Sequence, residues 1–123
     1  MDLSIKGHNL DLSDALKAYT ERRLRFSLGG FAKKLESVEV RLSDINGPRG
    51  GIDKSCAITA ILRQLGVVFA RAEGANAYST VDCAASRVRS ALARRLNRHR
   101  TDRRRGRRLF ITASAWGIND AGK

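Results

Sequence analysis

The chain has 123 residues, 42% of them hydrophobic, and 24 Lys and Arg stand against 12 Asp and Glu for a formal charge of +12, with an isoelectric point near 11.0. That length holds one compact domain with a proper core and excludes two comfortable ones. The basic balance points to nucleic acid first and to an anionic membrane surface second.

The opening LSIKG alternates Leu3 and Ile5 with Ser4 and Lys6, which predicts a short strand with one buried face. Asp2 and Lys6 interrupt the place where the apolar core of an export signal would sit. Ser13 is placed to cap a helix and Asp14 sits favourably in its first turn. The helix runs to about Leu28, with Leu16, Tyr19, Thr20 and Leu24 inward and Lys17, Arg22, Arg23 and Arg25 outward, and Gly29 and Gly30 are expected to stop it. Val38, Val40 and Leu42 alternate with Glu39, Arg41 and Ser43 in a second strand. NGPRGG, flanked by Asp44 and Asp53, reads as a turn. A third strand, roughly Lys54 to Arg63, turns Ile58, Ala60 and Leu62 inward. After a reversal at Gln64, Leu65 and Gly66, a fourth, Val67 to Glu73, does the same with Val68, Ala70 and Ala72. Gly74 ends it, and Asn76 offers a cap for a long helix whose stripe is Tyr78, Val81, Ala85, Val88, Leu92 and Leu96.

The order β-α-β-β-β-α predicts an α+β fold. The first two strands, joined by a crossover helix, are parallel and the later ones antiparallel, giving a four-stranded mixed sheet with two helices on one face. The other face shows Ile61, Val67 and Phe69, either ordinary surface or a patch for weak self-association. Residues 1–100 read as the α+β domain and 101–123 as a tail, basic and then irregular. The longest uncharged run, Leu109 to Asn119, has 11 residues and is too short to cross a bilayer. A cytoplasmic location follows, with Cys56 and Cys83 as reduced thiols.

The charge is local. Between Arg87 and Arg108 there are 11 arginines and one acid, Asp102, so this segment carries +10 of the +12. A solvated helix would mix lysine with glutamate. Arginine without acids suits a polyanion, because guanidinium grips phosphate with parallel bonds and stacks on bases. At about 100° per residue, Arg87, Arg94 and Arg98 share one flank, Arg89 and Arg100 lie along the other, and Arg95 lies near the apolar stripe and must extend past it to reach water.

Other chemistry finds no foothold. His8, Cys56, Cys83 and His99 lack zinc-finger spacing, so no metal is expected. No histidine is near Cys83 in sequence to activate it. GPRGG lacks the Lys and Ser or Thr of a phosphate loop. The expectation is a non-enzymatic chain with no cofactor and no small-molecule substrate. A helix-turn-helix pair is missing, and the Val, Ala and Leu stripe lacks the large aromatics of a membrane-surface helix. Structured RNA, read by shape and backbone, fits best. A general RNA- or DNA-binding regulatory module is the alternative.

IKGHNLDLSDALKAYTERRL at the start, and ARAEGANAYSTVD leading into a basic last helix, resemble the ribosome hibernation promoting factor and ribosome-associated inhibitor A family over about residues 1 to 100. The most specific piece is Glu73 and Gly74 followed by Tyr78, Val81 and Asp82; the first helix agrees in Ala15, Leu16, Tyr19 and Leu24. The resemblance implies a fold similar to double-stranded-RNA-binding domains. It also implies a stress-response inhibitor of translation that binds small-subunit rRNA in the channel for mRNA and tRNA. Arg87 and Arg94 fall on basic positions of the family's last helix, and Ser90 stands at a third, beside Arg89. Asn76 and Ala77 replace the acidic residue and methionine usual before Tyr78. Fifteen residues after Arg108 cannot supply the ribosome-pairing domain of long members, so a divergent short form is expected. The predicted RNA-binding set is Arg87, Arg89, Arg94, Arg95 and Arg98 with Lys17, Arg22, Arg23 and Arg25.

Overall fold

The computed structural model describes residues 2–45 and 53–108, with His99 and residues 101–108 described by their backbone alone. Two compact units divide the chain, Met1–Ala91 and Leu92–Lys123. The expected NGPRGG turn and the part of the expected tail beyond residue 108 lie outside the described residues.

In chain order the elements are β1 (Asp2–His8), α1 (Asp14–Leu28), a 3-10 helix (Gly29–Lys34), β2 (Leu35–Asp44), β3 (Lys54–Leu62), β4 (Gly66–Gly74) and α2 (Ala77–Arg108). The sheet order is β1-β2-β3-β4, with β1 parallel to β2 and the other pairs antiparallel. This is the expected mixed sheet, set by one helical crossover followed by short connections.

The first unit buries one sheet face under α1 and the start of α2. Val38, Val40, Leu42, Ile58, Ala60, Leu62, Val68 and Ala72 come inward from the sheet, and Leu16, Leu24, Leu28, Val81, Ala84, Ala85 and Val88 from the helices. On the other face Val67 is 50% and Phe69 60% exposed, so the face expected to be open is open. In the second unit α2 continues, with Leu92 buried and Leu96 half-buried.

Three local details differ from expectation. Gly29 does not stop α1 in the left-handed conformation common after helices. It keeps right-handed angles (φ −58°, ψ −34°), and the chain tightens into the 3-10 helix. The alternation in β2 is broken between Leu35 and Ser37, where the register with β3 slips. The bulge lets Leu35 join the core out of phase with Val38, because an extra residue reverses the side-chain alternation. Tyr78, read as the first residue of the buried stripe, is instead 40% exposed, its ring set edge-on to Tyr19 with centroids 5.0 Å apart.

The β4–α2 junction explains the spacing of Glu73, Gly74 and Asn76. Asn76 Oδ1 accepts from the backbone N–H groups of Tyr78 (2.8 Å) and Ser79 (3.3 Å), capping otherwise unpaired donors. The Thr80 hydroxyl donates to the Asn76 carbonyl at 2.7 Å. A Cβ on residue 74 would lie 2.7 Å from that hydroxyl oxygen, a contact too close for any side chain. Gly74→Ala should therefore cost about 1–3 kcal/mol in urea unfolding, as overpacking does. In a double-mutant cycle with Thr80→Ala, which removes the clashing hydroxyl, the double mutant should lose less stability than the two single changes added together.

Candidate nucleic-acid interface

The expected site residues fall into groups that the fold treats differently. On α1, Lys17 and Arg22 are exposed, and the Arg22 guanidinium lies 5.9 Å from the centre of the Tyr19 ring, within cation–π range. Arg25 donates from Nε to Glu21 Oε2 at 3.2 Å, one helical turn back. Arg23 is turned inward to α2. Its Nε lies 3.0 Å from Asp82 Oδ1, and its guanidinium also donates to the Ser27 hydroxyl. Asp82 therefore acts across the helix pair. It accepts from Tyr19 Oη at 2.6 Å as well as from Arg23, so one carboxylate on α2 holds two groups of α1. That leaves Arg23 the least available of these cations to an outside anion.

The first arginines of α2 are anchored without losing charge. Arg87 donates from Nη1 to the backbone carbonyl of Arg71 at 2.7 Å. Arg89 donates from Nε to the carbonyl of Ser27 at 3.1 Å, while its guanidinium lies 6.0 Å from the centre of the Phe31 ring. A carbonyl is neutral, so each guanidinium keeps its full charge and its remaining N–H donors. Arg71 itself pairs with Glu73 at 2.8 Å and donates to the Ser55 hydroxyl.

Within the second unit, Arg94, Arg98 and Arg100 are exposed and Arg95 is half-buried. The backbone of α2 stays helical to Arg108.

Nothing described favours catalysis. Burial pushes the Cys56 thiol up to about 12, so it is protonated and unreactive at neutral pH. Cys83 is exposed on α2. Among the described residues no three His, Cys, Asp or Glu gather to hold a metal ion, and no helix is long and apolar enough to cross a membrane.

Sequence reasoning missed the Asp82 clasp, the carbonyl anchors and the exposed ring of Phe26. Helical phase could have found the last, since Phe26 lies about 200° from Leu24 on the α1 wheel. The clasp joins residues more than fifty positions apart, and no local pattern carries that.

The sequence model of a family described as Sigma 54 modulation protein / S30EA ribosomal protein matches residues 3–104. The chain is 27% identical over 92 residues to the chloroplastic ribosome-binding factor PSRP1 of Spinacia oleracea, an alignment covering 73% of this chain and 30% of that protein. The chain thus spans less than a third of that relative's length. It is similar to the crystal structure of the Thermus thermophilus Protein Y N-terminal domain, with 26% identity and a TM-score of 0.61 over 76% of this chain and 98% of that one. A ribosomal subunit interface protein from Coxiella burnetii shares the fold, at 21% identity and a TM-score of 0.61, over 76% of this chain and 96% of that one.

The clasp yields a stability test. Asp82→Asn removes the shared charge from a half-exposed site and should cost about 1 kcal/mol, a few degrees in melting temperature. The bond to Asp82, then burial, holds the Tyr19 hydroxyl above its ordinary 10.0. The stability it contributes is complete below pH 10 and is lost as pH rises through the raised value. Lys54, raised chiefly by its bond to Asp53, loses its contribution in the same direction. Tyr19→Phe should flatten the fall of melting temperature above pH 10 and leave the Lys54 part.

Proposed function

The chain belongs to the Sigma 54 modulation protein / S30EA ribosomal protein family, and on that premise we propose that it binds ribosomes and inhibits translation as a hibernation factor. The observation that carries the reading is the family match over residues 3–104, which takes in α1 and α2 as far as Arg104. The partner in this proposal is the small subunit and its rRNA. The mechanism is steric: the bound protein fills the channel that mRNA and tRNA need, and no bond is made or broken.

Each unit brings its own cations to the RNA. In the first, Arg87 and Arg89 are pre-oriented by their carbonyl anchors, so less side-chain freedom is lost on binding phosphate. Lys17 and Arg22 add exposed charge, and Arg25 adds charge partly offset by Glu21. In the second, Arg94 and Arg98 are exposed and Arg95 is half-buried along the continuing helix. Arg23 contributes chiefly by holding α1 to Asp82.

The proposal also places the protein in the cytoplasm, bound to ribosomes during stress. If about five phosphates are neutralised, log affinity for rRNA falls against log salt with a slope of roughly −4. In a sucrose gradient at modest salt the protein should sediment with small subunits and whole ribosomes, and its absence from both fractions would sink the ribosomal reading. Bulk tRNA or duplex DNA should fail to strip it at equal phosphate concentration. Equal stripping would instead identify a general nucleic-acid binder, the reading that the dense arginine run favours next.

A further inference from the structure

Phe26, at 84%, is the most exposed large apolar side chain among the described residues. A lone apolar residue on a surface needs no explanation, but this ring belongs to a row. At about 100° per residue, Tyr19, Arg22 and Phe26 fall within about 60° of one another on α1. The Arg22 guanidinium lies 5.9 Å from the Tyr19 ring centre. Tyr19 in turn meets the half-exposed ring of Tyr78 edge-on, with an interplanar angle of 73°. Three rings and one guanidinium thus follow one another across the surface of the first unit.

Past Phe26 the surface is bare. A Cβ on Gly29 or Gly30 would meet nothing within 4 Å, which leaves room for a planar group laid against the ring. The setting is cationic: between Asp14 and Lys34 there are six Lys and Arg and two acids. One of those acids, Glu21, is engaged by Arg25. A protein anchor site would surround the ring with further apolar groups in a pocket. Here the ring is 84% exposed, and the residues one turn either side of it on α1 and beyond are Arg22 and Gly30.

We propose that this row is a stacking track for an unpaired stretch of RNA, with one base on Phe26 over the Gly29–Gly30 step and its neighbour toward Arg22 and Tyr19. A duplex keeps its bases stacked inside and offers phosphates and hydroxyls, whereas an unpaired strand exposes base faces that aromatic rings and guanidinium planes accept regardless of sequence. The inference rests on the RNA-binding reading above and adds which kind of RNA the α1 surface takes.

The test is fluorescence anisotropy with the full chain at fixed modest salt. The probes are an unpaired RNA of about ten nucleotides, the same strand carrying abasic sites, and an RNA duplex. Phe26→Ala should weaken binding of the unpaired strand by at least about fivefold, the low end of a base–aromatic stack. The salt slope and duplex affinity should stay unchanged, Phe26→Trp should bind as the wild type does, and the abasic strand should not distinguish Phe26→Ala from wild type. Arg94→Glu, which probes phosphate contact alone, should weaken all three RNAs. If Phe26→Ala binds the unpaired strand as tightly as wild type while Arg94→Glu binds more weakly, the track is wrong, the RNA reading stands and the ring is left for a protein partner. If wild type binds none of the three RNAs, both fall together.

Discussion

Two backbone carbonyl oxygens, those of Arg71 and Ser27, hold the first two arginines of α2, and the electrostatic character of the first unit depends on that choice of partner. An arginine can be fixed by a carboxylate or by a carbonyl. The carboxylate fixes it and cancels its charge; the carbonyl fixes it and leaves the charge outside. Arg23 shows the first case, bound to Asp82, and Arg87 and Arg89 show the second. One helix pair thus separates cations used to hold the fold from cations left to face a polyanion. The Arg87 bond also occupies one carbonyl on β4, an edge strand of the sheet.

Much of this was legible in the sequence because the relevant signals are periodic. Alternation at Val38, Val40 and Leu42 and at Ile58, Ala60 and Leu62 gave two strands their buried face, and recurrence at Val81, Ala85 and Val88 did the same for α2. Period fails where geometry changes parity. Leu35 enters the core through a bulge that no alternation announces. The Gly29–Gly30 pair has the composition of a helix stop, yet both residues keep the right-handed backbone of a 3-10 helix.

The candidate interface was legible as a list of charges and not as a set of states. Sequence places Arg22, Arg23 and Arg25 on the outer surface of α1; it does not show that Arg23 turns to meet a carboxylate across the helix pair while Arg22 lies over a ring. Those fates follow from tertiary neighbours. Asp82 lies 63 and 59 positions from the two residues it binds, Tyr19 and Arg23, so no local pattern announces the pairing.

The strands lie side by side in the order in which they are synthesised. Apart from the β1–β2 crossover through α1, each pairing joins neighbours along the polypeptide, so the loops to be closed are short and their entropy is modest. Such a chain can pair its strands progressively during synthesis, and the basic stretch of α2 is made after all four. The hydrophobic layer nonetheless waits for α2, because Val88, set between Arg87 and Arg89, is one of its buried residues, so the start of the arginine run is tied to closing that layer and not to strand pairing.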